Sequence, residues 1–400
     1  MMKMNKTALL VALAIGSSAQ GYAQAAETLT EALTTGKVST DLRLRYETVD
    51  QDNAAKDADA LTLRTRLTYT TGDFKGFSAG VEFEDSRVAL GVDDYKDTNG
   101  KGAAYSVIAD PEVTELDQAF VQYKNDMVAV KVGRQVVTMD NHRFVGHVGW
   151  RQDRQTFDGV TVAYQPVKGL KLTYAYLDKR NRIFGEEKDI DSKDHLLNAS
   201  YKTDLGKLTA YAYLLEVDNG TDNALDTYGL RFSGATKLDS TKISYTIEYA
   251  TQDIDSATTS YSADYLSLEA GATFSGITAK LGMEMLGSDD GMKAFSTPLA
   301  TLHKFNGWSD QFLGTPNEGL VDIYASVGGK LAGGKWAVIY HDFSADEDSA
   351  TVDDLGTEIN AVYTKPFSKN YVAGIKFASY SAGDIKADTD KVWVWGQVKF

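Results

Sequence analysis

The sequence predicts an all-β fold, a transmembrane antiparallel β-barrel of eighteen strands whose extracellular loops fold inward. Apolar and polar residues alternate with a period of two along almost the whole chain after residue 36. The segments between these patterns alternate between tight turns and long polar loops. This combination is typical of a barrel that faces lipid outside and water inside. Sixteen strands remains the alternative count.

The first 25 residues predict a signal peptide. Lys3 and Lys6 precede a short apolar run at residues 8–16, and residues 23–25 (AQA) match a cleavage sequence. The run is too short to cross a bilayer as a helix. A buried first helix is the alternative interpretation. We therefore expect an exported protein in which residues 26–400 form one barrel domain.

The composition excludes several classes of protein. The chain has no cysteine, which excludes disulfides, cysteine-ligated metals and thiol catalysis. The formal charge is −15, and removal of residues 1–25 takes away two lysines and no acidic residue, leaving −17. Nucleic-acid binding depends on basic patches that meet phosphate, so no nucleic-acid partner is expected.

The period-two pattern predicts the strands directly. Leu42, Leu44 and Tyr46, for example, alternate with polar neighbours, as expected of a strand with one face in lipid. The predicted strands span residues 37–50, 60–72, 76–87, 113–125, 127–138, 154–166, 169–182, 193–204, 206–218, 224–234, 240–254, 261–274, 276–286, 318–328, 333–345, 353–365, 369–381 and 388–400.

The connections predict which rim faces which compartment. One set is tight: residues 72–76, 124–126, 166–169, 204–206, 275–276 and 365–370. The other set is longer and polar, and it includes residues 88–112, 139–153, 287–317 and 346–352. Outer-membrane barrels have short periplasmic turns and longer extracellular loops. We therefore predict a barrel in a Gram-negative outer membrane, in contact with lipid and lipopolysaccharide, with both termini at the periplasmic rim.

The chain ends in KVWVWGQVKF, residues 391–400, which alternates like the other strands. Val392, Val394 and Val398 should face lipid, with Phe400 at the periplasmic edge. The ending resembles that of other bacterial outer-membrane proteins. That resemblance implies recognition of the terminal aromatic residue by the outer-membrane assembly machinery.

The arginines are unevenly distributed. All 12 lie between positions 43 and 231. By strand parity, four of them on two neighbouring strands point into the lumen: Arg43, Arg45, Arg64 and Arg66. Glu82 and Glu84 on the next strand share that parity and would offset their charge. The residues permit two interpretations, structural ion pairs in the barrel wall or a cationic wall that orients polar solutes.

Residues 133–159 (GRQVVTMDNHRFVGHVGWRQDRQTFDG) hold a second group of arginines around an apolar centre. This group is Arg134, Arg143, Arg151 and Arg154. A loop exposed to water would not need the apolar centre, so we expect this segment to fold into the barrel. Its guanidinium groups would pair with carboxylates bidentately and narrow the pore. Packing for rigidity alone is the alternative.

Residues 288–319 form the other long loop, and they are too apolar for a free loop. We expect this segment to fold over or into the barrel mouth. Trp308 would then either stack on sugar rings or pack against the other inward loop.

No residue pattern predicts catalysis, a metal or a cofactor. The five histidines show no close metal-ligand spacing, and no Ser–His pair stands out from the serines that decorate the strands. The simplest interpretation of the acidic stretches at residues 50–59, 93–97 and 346–354 is that they are solvent-exposed loop tips. A divalent cation there is conceivable but not predicted, since no EF-hand spacing is present.

Two segments resemble the alginate export family. The first is RFVGHVGWRQDRQTFDG (143–159), preceded by GRQ (133–135). The second is FNGWSDQFLGTP (305–316), followed by GLVDIY (319–324). The resemblance implies a monomeric eighteen-stranded barrel, a lumen lined by positive residues and passive transport of anionic polysaccharide. It also implies that Arg134, Arg143 and Arg151 lie in the constriction. The chain departs from the family pattern in having no arginine after residue 231.

The predicted function is passive diffusion of small polar or anionic solutes, with acidic oligosaccharides such as uronates as one class. A general or neutral-sugar porin with structural arginines is the first alternative. A barrel enzyme or a surface adhesin is the more remote one.

Overall fold

The computed structural model describes residues 26–221, 223–256 and 259–400. The predicted signal peptide, residues 1–25, lies outside the described residues. A short helix, α1 (Leu29–Thr34), precedes the first strand, and the Thr28 side chain caps it by accepting a hydrogen bond from the Glu31 amide. Among the described residues, no helix has the length and apolar character needed to cross a membrane.

The described residues form eighteen antiparallel strands in one closed barrel, as predicted. Each strand pairs with the next along the chain. The last strand pairs with the first in a register that places Gln397 opposite Arg43, and this pairing closes the sheet. Closure leaves no strand edge without a hydrogen-bonded neighbour, which a β-structure requires in a bilayer.

The strand bounds agree with the prediction to within a few residues at most ends. They are β1 Lys37–Gln51, β2 Ala58–Thr70, β3 Phe77–Asp94, β4 Val113–Lys124, β5 Val128–Gln135, β6 Thr156–Tyr164, β7 Leu170–Asn181, β8 Ile190–Lys202, β9 Lys207–Glu216, β10 Ala224–Leu238, β11 Thr241–Asp255, β12 Ser260–Phe274, β13 Ile277–Leu286, β14 Leu320–Leu331, β15 Gly334–Ser344, β16 Asp354–Pro366, β17 Tyr371–Ser381 and β18 Thr389–Lys399.

The strand ends depart from the prediction by up to seven residues, and one departure lies where the chain enters the lumen. Strand β5 was predicted to reach residue 138, but it ends at Gln135. Beyond that point Val137 and Met139 are buried in an apolar cluster, so the chain has left the hydrogen-bonded wall. Strand β3 instead runs past the predicted residue 87 to Asp94, which lies opposite Asp59 of β2.

Burial follows the strand period, with apolar residues outside and polar residues inside. On β11, Ile247 and Tyr249 are exposed on the outer face, whereas Glu248 and Gln252 between and beyond them are buried. The same alternation places the buried arginines and carboxylates of β1 to β3 in the lumen. The lumen is therefore polar along its wall, as in other membrane barrels.

The two rims differ as the sequence predicts. Residues 275–276 and 332–333 are two-residue hairpin turns in which both central residues have positive φ, near 50° and then near 80°. Gly276 and Gly333 occupy the second position, where a side chain would be strained. The opposite rim carries the long loops, which include a short 3-10 helix at Glu186–Lys188 and a two-stranded ribbon formed by Ser288–Asp289 and Lys293–Ala294.

If β10 spans the bilayer, the cost of placing a charge on its outward face should depend on how deep that position lies in the membrane. Leu230 and Leu238 both project outward from β10, the first at mid-strand and the second at its periplasmic end. Leu230→Arg places a charge near the bilayer midplane and should lower the free energy of unfolding by about 2–4 kcal/mol. Leu238→Arg should cost only about 0–1 kcal/mol, because its charge reaches the interface. Reversible urea unfolding in lipid vesicles measures both, and equal costs would contradict a membrane-spanning β10.

Candidate functional site

Two long loops fold into the barrel and pack against each other. The first inward loop comprises residues 136–155, and the second inward loop comprises residues 287–319. Val145 and Leu299 form a parallel bridge between them, and the Gly146 amide donates to the Leu299 carbonyl at 2.8 Å. The loops therefore occupy the lumen as one unit, which confirms the inward fold predicted for both.

An apolar cluster joins this unit to the barrel wall. Phe144 of the first inward loop and Phe295 of the second pack against each other, with ring centroids 5.9 Å apart. Both rings also contact Tyr265 on β12, and Phe144 contacts Tyr211 on β9. These contacts explain why the loop sequences carry apolar residues that a solvated loop would not need.

Arg143 attaches the first inward loop to the far wall. Its Nε donates to Glu284 Oε1 on β13 at 2.7 Å, and its two terminal nitrogens donate to Thr297 and Asn306 of the second inward loop. Tyr265 also donates its hydroxyl to Glu284 Oε1 at 2.6 Å. Arg143 is only 2% exposed, so its charge is compensated inside the protein rather than by water.

Arg151 makes the equivalent attachment to the near wall. Its Nη1 donates to both Glu47 oxygens on β1 at 3.1 Å, and its Nη2 donates to Asp310 of the second inward loop at 2.8 Å. Arg45 on β1 completes the group by pairing with Glu47 at 3.3 Å and with Asp110 of the β3–β4 loop. Arg45 and Arg151 thus hold three loops against one strand.

Arg43 on β1 makes a different kind of contact. Its guanidinium donates to the carbonyls of Gly149, Trp150 and Arg151, at 3.3, 2.7 and 2.5 Å. Its Nε donates to Gln152 Oε1 at 3.0 Å. Within the described residues Arg43 makes no ion pair, so its positive charge is not cancelled by a carboxylate contact.

The remaining arginines of this wall are paired with carboxylates. Arg64 donates to Asp41 at 2.9 Å, and Arg66 pairs with Glu84. Arg154 of the first inward loop pairs with Glu82, and also with Asp117 of β4 at 2.7 Å. Parity had placed Glu82 and Glu84 beside the arginines, and the structure shows these contacts.

Arg134 lies elsewhere. It shares the outer face of β5 with Val132, and it pairs with Asp158 of β6 at 2.8 Å. The resemblance had grouped Arg134 with Arg143 and Arg151 in the constriction. The structure separates them, because alternation along β5 turns Arg134 away from the lumen that Gln135 faces.

Two chambers open below the inward loops, on the periplasmic side. The cationic chamber, of about 650 Å³, is lined by six cationic side chains, Arg43, Arg64, Arg66, Arg154, Lys304 and Lys399, and by two acidic ones, Asp41 and Glu82. The balanced chamber, of about 530 Å³, is lined by three cationic side chains, Arg231, Lys280 and Lys304, and by three acidic ones, Glu269, Glu284 and Asp322. Lys304 of the second inward loop borders both.

Arg143 and Arg151 are not among the described residues that line either chamber. Arg143 and Arg151 instead attach the inward loops to the barrel wall, above the chambers. Lys304 and Lys399 contribute charge to the cationic chamber. The period-two pattern of the last strand places Lys399 in the lumen, whereas the sequence analysis did not single out Lys304. Lys304 stands alone in a loop, and no alternation there shows which way it points.

Trp308 lies at the edge of the balanced chamber. Its ring centroid is 3.8 Å from Lys376 Nζ, and Trp150 covers the same ammonium at 4.3 Å. Glu358 on β16 accepts hydrogen bonds from the Trp308 and Ser309 amides. Trp308 therefore packs between the two loops and the wall while presenting part of its surface to the chamber.

A sequence model described as alginate export matches residues 36–283. The chain belongs to the alginate export family. Among curated proteins, none matches it significantly. The barrel lies in a Gram-negative outer membrane and forms a channel.

Solved structures are similar to this alginate export family barrel in fold. Pseudomonas aeruginosa OccK9 (OpdG) aligns with a TM-score of 0.72 at 15% identity, covering 92% of this chain and 99% of that one. Acinetobacter baumannii OccAB4 gives 0.72 and 15%, with 92% and 100% covered. Pseudomonas aeruginosa OpdL gives 0.71 and 16%, with 92% and 99% covered. At these identities the likeness concerns the fold alone.

The Arg143–Glu284 contact predicts a large and specific loss of stability. Arg143→Met leaves a buried carboxylate without its guanidinium and should lower the free energy of unfolding by about 3–5 kcal/mol. Adding Glu284→Gln should restore part of that loss. Arg87→Met is the matched control, since Arg87 and Asp85 form an exposed pair worth less than about 1 kcal/mol. Urea unfolding in detergent measures all four proteins, and equal losses for Arg143 and Arg87 would contradict the anchor.

His147 of the first inward loop predicts a dependence of stability on pH. Burial lowers its pKa to about 4, and His142, Arg154 and Arg66 act in the same direction. The folded state therefore excludes a proton that the unfolded chain, with an ordinary histidine pKa of about 6.5, accepts. Its contribution is present above about pH 6.5 and is lost as the pH falls towards 4.

The measurement is the urea midpoint at pH 7, 6, 5 and 4 for the wild type and His147→Gln. The variant should lose less stability across this range. His195→Gln on the outer wall is the control. Parallel curves for the wild type and His147→Gln would contradict the role of His147.

Proposed function

We propose that the barrel is a passive diffusion channel selective for small anionic solutes, with short acidic oligosaccharides such as uronates as its preferred class. The observation that carries this proposal is the cationic chamber, where six cationic side chains face two acidic ones. A chamber lined by one sign of charge within low-dielectric walls raises the local concentration of solutes of the opposite sign. It works by diffusion along the lumen.

The chemistry of the chamber suits carboxylates in particular. Arg43 is free of ion pairs among the described residues, and Arg64 shares a single carboxylate with Lys399. Guanidinium groups bind carboxylates through two parallel hydrogen bonds, which gives geometric preference as well as attraction. At Arg43 a solute carboxylate would exchange with neutral backbone and amide acceptors rather than with a carboxylate of the protein.

The same chamber also offers contacts for sugar hydroxyls and rings. Ser39 and Thr68 line it together with Gln397, and these three side chains can donate and accept hydrogen bonds. Trp150 adds an aromatic surface. Charge beside hydroxyl partners and an aromatic face supports an acidic saccharide over a simple inorganic anion.

The balanced chamber favours a second candidate, a general or neutral-sugar porin. Its cationic and acidic side chains are equal in number, and Trp308 and Tyr324 line it. Under this candidate the arginines of the opposite wall serve only to hold the inward loops. The two candidates differ in ion selectivity and in which sugars block the current.

Selectivity in planar bilayers tests the proposal. Lys304→Gln with Lys399→Gln removes two positive charges from the cationic chamber while keeping hydrogen-bond donors. The wild type should prefer anions under a salt gradient, and the double variant should lower the anion-to-cation permeability ratio by about twofold or more. Lys193→Gln removes a charge from the outer face of β8, outside both chambers, and should leave the ratio unchanged.

Sugar block separates the candidates on the same membranes. A short uronate oligomer should reduce the wild-type current at concentrations where a neutral oligosaccharide of equal length does not. The double variant should require more uronate for the same block. No anion preference, or equal block by both sugars, would overturn the anionic proposal in favour of the general porin.

A further inference from the structure

Five carboxylates gather where the first inward loop meets β3 and β4. This acidic cluster consists of Glu82, Glu84, Glu115, Asp117 and Asp153. Two guanidinium groups, those of Arg66 and Arg154, are paired with members of the cluster. Five negative and two positive groups leave a formal charge of −3 inside the protein, a larger imbalance than buried charges usually tolerate.

Several oxygens of the acidic cluster are buried with nothing to bind. Asp153 is 1% exposed, and neither of its carboxylate oxygens meets a donor among the described residues. The same holds for Asp117 Oδ1, Glu84 Oε1 and Glu115 Oε1. Five free carboxylate oxygens from four residues therefore remain after the arginine contacts are counted.

The geometry of the acidic cluster suits a cation. Glu82, Glu84 and Asp117 each offer an oxygen, and these atoms lie within 4.8 Å of one another. Calcium binds oxygens at about 2.3–2.6 Å, so that two oxygens on opposite sides of the ion are about 4.6–5.2 Å apart. Asp153 lies beside Glu115, on the loop side of this group of three, and both of its oxygens are without a donor among the described residues.

We propose that the acidic cluster binds one divalent cation, Ca²⁺, which joins Asp153 of the first inward loop to the carboxylates of β3 and β4. The ligands are all carboxylate oxygens with no histidine or cysteine, which selects a hard cation. They come from two strands and a loop in an irregular arrangement, which calcium accepts and magnesium, with its strict octahedral geometry, does not. The ion would reduce the formal charge of the site from −3 to −1.

A calcium ion there would give the Asp153 carboxylate, which has no donor among the described residues, a favourable contact. Burial raises the pKa of Asp153 well above its ordinary value, and the Glu115, Glu84 and Asp117 carboxylates add to the shift. A proton shared with Glu115 is therefore the competing solution, and it predicts no response to calcium.

The test uses the full mature barrel, refolded in detergent without lipopolysaccharide, so that lipid-bound calcium does not contribute. Calcium chloride is titrated into metal-free protein by calorimetry, and the Tm is measured in calcium and in EDTA. The wild type should show one saturable site and a lower Tm in EDTA. Asp153→Asn should weaken calcium binding by about tenfold or more, because it removes a charged ligand, and its Tm should no longer respond to EDTA.

Asp353→Asn, an exposed acidic residue of the β15–β16 loop, is the matched control and should behave as the wild type. Glu115→Gln replaces Asp153→Asn if the latter fails to refold, with the same expected loss of binding. Absence of saturable binding by the wild type at millimolar calcium, with a higher Tm for Asp153→Asn, would show that protons hold the cluster and overturn the proposal. Calcium binding that survives in both cluster variants would place the ion elsewhere and overturn it equally.

Discussion

The compensation of buried guanidinium groups is the constraint on which this barrel depends. A wide closed sheet leaves a lumen that must be filled, and the two inward loops fill it only if their own polar groups find partners there. Arg143 reaches one wall at Glu284, and Arg151 reaches the other at Glu47. Since an uncompensated charge at these depths would cost several kcal/mol, these two contacts leave the loops little freedom to move.

The chambers below the loops follow from how those pairings divide the charge. On the β1–β3 side, the loop backbone rather than a carboxylate occupies Arg43, and the chamber keeps an excess of positive charge. In the balanced chamber, Arg231, Lys280 and Lys304 face three acidic residues, and the excess disappears. The uneven distribution of arginine along the chain therefore becomes an uneven field across one lumen, with Lys304 at the boundary.

The strands were predictable because every strand of the barrel wall alternates apolar and polar residues. The contacts between loops were not predictable, because no such pattern relates the residues that meet there. Period two places Arg43, Arg64, Glu82 and Glu84 inside without any knowledge of their partners. The partner of Arg151, Asp310, lies in another loop, and no periodicity relates the two positions. Arg134 shows the converse. Its outward orientation could be inferred because it shares the parity of Val132 and alternates with Gln135, but the family resemblance placed it in the constriction instead.

Residues 151–154 (RQDR) show how side-chain contacts can fix a loop without regular secondary structure against the barrel wall. Arg151 meets the carboxylates of Glu47 and Asp310, and Gln152 bonds the Thr62 side chain and carbonyl. Arg154 meets acidic residues of β3 and β4. Three of these four consecutive side chains thus bind the wall by different chemistry, and Asp153 alone faces groups of its own sign.

A cation at Asp153 would complete the attachment of the loop, and it would also compete with Arg66 and Arg154 for the shared carboxylates. Because both arginines line the cationic chamber, the field that a solute meets would become more positive when the ion is bound. The attachment of the loop and the selectivity of the channel would then depend on the same carboxylates.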